Sequence, residues 1–152
     1  MPIPIGSSTD RSDGLNPNTL AVTSKRLARY KPEPYRQHIL NPIERTIAPF
    51  DSIGMNDLFH CVPGSMTEKA VALDHLQKLM NHGCQVFGST MLQGDVPRSW
   101  AARRLMNLYN EKGIFSNTLD DLDGLKQALS IRFENVQTEV VGCVALFSGR
   151  LR

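Results

Sequence analysis

The sequence predicts an α/β domain with a mostly parallel sheet that closes in a C-terminal antiparallel hairpin. Three observations predict it. Helix and strand signals alternate through the middle of the chain, the pattern of strands joined by helical crossovers. Residues 136–151 are mostly β-branched and apolar with Gly142 among them, which suits two successive strands around a bulge or tight turn. The chain has 152 residues, 41% hydrophobic and 21% charged, enough for one domain with its own core.

The elements follow in order. Residues 1–14, MPIPIGSSTDRSDG, are rich in Pro, Ser, Gly and Asp, and read as a flexible leader before a domain over 15–152. Asn16-Pro17-Asn18-Thr19 offers capping side chains and an early proline. Leu20, Ala21, Ser24, Leu27 and Ala28 then recur at helical spacing until Pro32 and Pro34 stop the helix. Residues 35–40 form a short extended candidate, and residues 50–56 a second one with Phe50, Ile53 and Met55 as its apolar members. Ser65 to Glu68, SMTE, is a capping box. The helix it opens carries Val71, Ala72, Leu76, Leu79 and Met80 and stops at Asn81-His82-Gly83. Residues 84–92 are the next strand. Ser99 caps WAARRLMNLYNEK, which Gly113 ends, and TLDD from Thr118 opens a helix through Leu122, Leu125 and Leu129.

Several function classes drop out. Seventeen Lys+Arg against fifteen Asp+Glu leave a formal charge of +2, too balanced for a nucleic-acid footprint. Lys25, Arg26, Arg29 and Lys31 gather where a helix ends, and positive charge suits the dipole there. Cys61, Cys84 and Cys143 are odd in number and lack CxxC spacing, against both a disulfide framework and a zinc ribbon. No apolar run reaches the roughly 18 residues of a membrane span, and the N-terminus lacks a signal-peptide pattern. A reduced cytoplasmic setting is the expectation, with a small molecule or another protein as partner and neither membrane nor nucleic acid.

FDSIGMNDLFHCVPGSM, residues 50–66, concentrates the candidate chemistry. Neighbouring side chains on an extended segment point apart, so His60 and Cys61 make a poor nucleophile–base pair. Asp57, His60 and Cys61 lack the further ligands of a metal site, and no metal is expected. No GxGxxG or GxxxxGK[ST] occurs. Position argues for a site all the same. Ligands of open α/β sheets bind outside the carboxyl ends of strands, and residues 56–61 lie at such an end.

The motif order resembles the class I S-adenosylmethionine-dependent methyltransferases of small-molecule type. GLNPNTLAVTSKRLARY is similar to the end of the family's second strand and the helix after it, and YRQHIL to its third strand. FDSIGMNDLFHCVPGSMTEKAVALDHL looks like the fourth strand with its loop, and NHGCQVFGSTMLQG like the fifth. RLMNLYNEKGIFSNTLDDLDGLKQAL resembles the substrate-side helices, and FENVQTEVVGCVALFSGRL the closing hairpin. The match spans about residues 14–151, and nothing in it answers to the family's first strand and Gly-rich loop.

The resemblance implies a Rossmann-like methyltransferase fold, truncated at its N-terminus, and methyl transfer from S-adenosylmethionine to a small-molecule acceptor of specialised metabolism. The family's ribose-binding acid would fall at Gly14, beside Asp13, and its adenine-side acid at His38. Asn16, His38, Ile39, Asn56 and Asp57 are the implied cofactor contacts. His60 is the implied base, and Phe59, Trp100, Tyr109 and Phe115 wall the acceptor pocket or pack in the core. Without the first strands the fourth would show an open edge, which a second copy or a partner chain would complete. The alternatives are a cofactor-free interaction protein derived from such an enzyme and a non-methylating enzyme on the same fold.

Overall fold

The computed structural model describes residues 17–33, 35–44 and 46–152, so the leader expected over 1–14 and the contact expected at Asn16 lie outside the described residues. The first helix, α1, spans Pro17–Arg26 and ends on Lys25 and Arg26, the charge placement expected from the dipole. A 3-10 turn follows at Ala28–Tyr30.

One four-stranded sheet organises the rest. Strands β1 (Phe50–Asn56), β2 (Met80–Met91), β3 (Phe133–Val141) and β4 (Val144–Leu151) lie in the order β1-β2-β4-β3. β1 and β2 are parallel, whereas β4 is antiparallel to both of its neighbours. The sheet is therefore mixed rather than mostly parallel. The cause is topological: helical segments carry the chain from β1 to β2 and from β2 to β3, and the two-residue Gly142-Cys143 turn then folds β4 back, antiparallel, between β2 and β3. Gly142 takes φ 64° there, a value that glycine adopts without strain.

Four local expectations shift. Residues 35–40 form no strand. The Gln37 amide instead donates to the carbonyls of His38, Asn41 and Pro42 and curls the segment, while the buried Ile39 anchors it to the core. The capping box forms as read: the Ser65 Oγ accepts from the Glu68 N–H at 3.4 Å and Glu68 Oε2 accepts from the Ser65 N–H at 2.7 Å. The helix after it, however, breaks at Ala70 into α2 (Met66–Lys69) and α3 (Val71–Gln77). β2 then begins at Met80, because the Phe50 N–H captures the Leu79 carbonyl and draws the chain into the sheet before Gly83. Helix α4 (Trp100–Glu111) starts on Ser99 as expected. Helix α5 (Leu122–Arg132) starts later than Thr118, since Asp121 Oδ1 is the group that accepts the Gly124 N–H, at 2.6 Å.

Alternation along the strands divides the sheet into two faces. Ile53, Met55, Val86, Ala145 and Phe147 join Leu73, Leu76, Leu125, Leu129 and Phe133 of the helical layer and its flank in one hydrophobic core. The other face carries Phe87, Val141 and Leu146, all exposed. At the centre of the inner face β1 and β2 press together at Gly88. A Cβ there would strike the Met55 carbonyl and come within 2.8 Å of the Phe147 ring. We expect Gly88→Ala to lower stability by roughly 1–3 kcal/mol, the usual cost of overpacking. Gly142→Asn, at a turn glycine with open space around it, should change the urea midpoint little.

Candidate functional site

Parallel pairing sets the carboxyl ends of β1 and β2 side by side, with Asn56 opposite Ser89. Asp57 comes next with φ 54°, a left-handed backbone that costs a non-glycine residue about 1–2 kcal/mol. Ser89 holds it. The Asp57 N–H donates to the Ser89 carbonyl at 2.8 Å, and the Ser89 hydroxyl donates to Asp57 Oδ1 at 3.1 Å. The chain then turns through a 3-10 segment, Phe59–Cys61, that sends Phe59 into the core against Phe147.

His60, only 3% exposed, is the hub of the loops above these strand ends. Its Nδ1 accepts the Met91 N–H at 3.3 Å, and its carbonyl accepts the Ser116 N–H at 2.7 Å. The ring stands edge-on to Phe115 at 4.6 Å, and Phe115 stands edge-on to Tyr109 at 5.0 Å. Such perpendicular pairs set the negative face of one ring against the positive edge of the other. Burial pushes the imidazole below its ordinary affinity for protons; the charge of Asp57 opposes this, and that of Lys69 adds to it.

Beneath the aromatic row lies an ion pair sealed from solvent. Lys69 Nζ donates to Asp120 Oδ1 at 2.8 Å, to Oδ2 at 2.7 Å and to the Ser116 carbonyl at 2.7 Å, using all three of its hydrogens. Burial pulls the ammonium down and pushes the carboxyl up, and their mutual hydrogen bond opposes both. The Asp120 carbonyl accepts the Gln93 and Gly94 N–H groups, tying the pair to the chain beyond β2. Asn117, also fully buried, donates through Nδ2 to the Met91 carbonyl at 3.0 Å and accepts at Oδ1 from Asn110 of α4 at 2.8 Å. Among the described residues, no three His, Cys, Asp or Glu side chains gather as metal ligands.

No family model matches the chain. Individual proteins do. It is 41% identical over 133 residues to demethylluteothin O-methyltransferase of Streptomyces thioluteus, covering 88% of the present chain and 58% of that enzyme. An O-methyltransferase of Aspergillus niger is 31% identical over 144 residues, covering 90% of this chain and 74% of the relative. The chain belongs to the class I S-adenosylmethionine-dependent methyltransferases of small-molecule type. The fold agrees: the N-methyltransferase NodS of Bradyrhizobium japonicum, in complex with S-adenosyl-L-homocysteine, superposes with a TM-score of 0.57 at 16% identity, over 90% of this chain and 63% of NodS. The chain spans a little over half the length of the Streptomyces enzyme.

In this methyltransferase chain the expected site residues separate into groups. His60, Tyr109 and Phe115 come together, and Asn56 and Asp57 lie exposed at the adjoining strand end. Phe59 is spent on the core. Trp100 is 75% exposed and stacks under Arg104; nine residues before Tyr109, it lies on the opposite side of α4. His38 is exposed, but the Ile39 side chain is buried and its carbonyl meets His75 Nδ1 at 3.2 Å. Sequence reasoning missed Lys69, Asp120 and Asn117. One signal was available for Lys69: it stands at helical spacing from Ala72, Leu73 and Leu76, a charge on the core stripe.

Lys69→Met should cost roughly 3–5 kcal/mol by stranding the buried Asp120 carboxylate, whereas Lys69→Met with Asp120→Leu should recover most of that loss. A urea-denaturation double-mutant cycle checks it. Folded His60 binds its proton less well than the unfolded chain does. Its contribution is therefore complete above about pH 6.5 and is lost as pH falls from there through the lower folded value. The urea midpoint should drop between pH 7.5 and 5.5, and His60→Gln should flatten that slope.

Proposed function

We propose that this chain forms the acceptor side of an enzyme that moves the methyl group of S-adenosylmethionine to an oxygen of a small molecule. One observation carries the reading: His60, Phe115 and Tyr109 form a row at the carboxyl ends of parallel strands, in a chain 41% identical to an O-methyltransferase. Aromatic walls and a single polar ring suit a flat, weakly polar acceptor with one oxygen to place.

The exposed polar groups at the strand end fit one flank of the methyl donor. Asn56 and Asp57 are exposed there and present amide and carboxylate groups to a ligand, while His38 offers an exposed ring that can stack on a base. Ile39 fits only through its backbone, since its side chain is in the core. When bound, S-adenosylmethionine supplies a methyl carbon made electrophilic by a sulfonium. The residues described here hold the acceptor oxygen in line with that carbon and keep water from it, so proximity and orientation do most of the work. His60 is the polar group that meets the oxygen. The setting we propose is cytoplasmic; among the described residues no helix is long and apolar enough to cross a membrane.

A second reading concerns partners. β1 is an edge strand in the described sheet, and the neighbouring outer face exposes Phe87, 43% accessible. An added strand from a second copy or a partner chain would satisfy that edge and cover the ring. A chain of this kind could also act by interaction alone, without a cofactor. Calorimetric titration of the folded protein with S-adenosylmethionine separates the readings. Saturable heat, followed by a mass gain of one methyl on a hydroxylated aromatic probe, is the expected result. A folded chain giving no heat rejects the transferase reading, and light scattering then shows whether it self-associates.

A further inference from the structure

We infer that His60 acts as a hydrogen-bond donor through Nε2 to an acceptor oxygen already ionised on arrival, with Asn117 as the positioning residue that keeps the ring in that state. This rests on the methyltransferase reading for the acceptor, but the state of the ring does not. The Met91 N–H points at Nδ1, so Nδ1 must offer a lone pair. A neutral imidazole has one lone pair and one N–H, and its proton therefore sits on Nε2. A general base at Nε2 would need the other tautomer, with the Nδ1 hydrogen driven against the Met91 N–H. Donor would then face donor in a buried place, forfeiting a hydrogen bond and desolvating both groups.

The outward nitrogen is available. Nε2 makes no hydrogen bond among the described residues. Nε2 is not among the sealed, unpartnered polar side-chain atoms of the described residues, which are Ser24 Oγ, Thr90 Oγ1 and Arg98 Nε. Two charges act on the ring. Asp57 favours a cation, whereas Lys69, itself held by Asp120, favours the neutral ring and an anion beside it.

Asn117 enters through Met91. Its Nδ2 donates to the Met91 carbonyl at 3.0 Å while its Oδ1 accepts from Asn110 Nδ2 at 2.8 Å. Asn117 is buried and held on both sides, so it fixes the backbone of Met91 just where the N–H meets His60. The transfer then balances without a protein base. The acceptor loses its proton to water before binding. Its oxygen lone pair forms the new C–O bond as the methyl carbon–sulfur bond breaks, and that bonding pair stays on sulfur. Anionic oxygen plus sulfonium becomes neutral ether plus neutral thioether.

The test begins with the full chain labelled with 15N in its histidine rings. Long-range 15N–1H spectra should show His60 neutral at pH 7 with its hydrogen on Nε2. A hydrogen on Nδ1 overturns the inference, whatever the chain binds. Asn117→Asp keeps the shape but removes the donor to Met91, and it should produce a mixture of the two tautomers. An unchanged single tautomer in the folded variant rejects the role of Asn117, and Asn117→Ser repeats the measurement if the first variant does not fold. The acceptor claim is read with 4-nitrophenol in the presence of S-adenosyl-L-homocysteine. Protein should raise the yellow phenolate fraction at a pH below the free phenol's own midpoint. His60→Leu should reduce that enrichment roughly tenfold, the size of one hydrogen bond to a charged group. If calorimetry shows binding of S-adenosyl-L-homocysteine but no enrichment appears, the donor role fails while the methyltransferase reading stands. If neither appears, that reading fails instead.

Discussion

The buried pair between Lys69 and Asp120 is the constraint on which the site depends. An ammonium and a carboxylate without water cost several kcal/mol each in desolvation, and only full satisfaction offsets it. Here satisfaction draws in distant chain. Lys69 belongs to the crossover after β1, Asp120 and Ser116 to the loop after α4, and the Asp120 carbonyl reaches back to Gln93 and Gly94 beyond β2. An apolar pair could fill the same volume with no such demand for direction. The ionic version locks the loops to the helix in one arrangement, and the Ser116 N–H carries that arrangement to the His60 carbonyl at 2.7 Å.

Much of the fold was legible because it is written in local chemistry. The Ser65–Glu68 capping box, the Ser99 cap, the β1 run and the Gly142 turn each need only a few adjacent residues to be read. Sheet direction was not local. The strand signal of residues 136–151 is the same whether β4 lies at an edge or between two partners, and it is this insertion that leaves β1 with β2 as the one parallel pairing of the described sheet. The segment 35–40 misled for a related reason. Its composition tolerates extension, but the Gln37 side chain folds along its own segment to donate to the His38 carbonyl and to those of Asn41 and Pro42 just beyond it.

The site was half legible. His60, Tyr109 and Phe115, which the resemblance implied as base and pocket walls, lie together in the structure. Trp100 was implied equally and lies on the far side of its helix, since nothing in a residue's identity says which way it faces. Asn117 and Asp120 were invisible for the opposite reason. In a polar loop they look solvated, and only the tertiary structure removes the water. His60 itself changed character. Its residue type suggests a proton acceptor, but the Met91 amide has already taken the lone pair a base would use.

The position of β4 also bears on how the chain comes to have a site at all. β2 carries Ser89 and Met91, the partners of Asp57 and His60, and the strand that braces it on its other side is later in sequence than everything else described. The Leu92 N–H even terminates on the Cys143 carbonyl of the hairpin turn. Until the hairpin is made, β2 has β1 alone beside it, and contacts so far apart in sequence are slow to form. During synthesis the candidate site therefore stays unfinished until residues 143–151 are free to fold back, which leaves Phe87 and the β2 edge open to chaperones and to aggregation meanwhile.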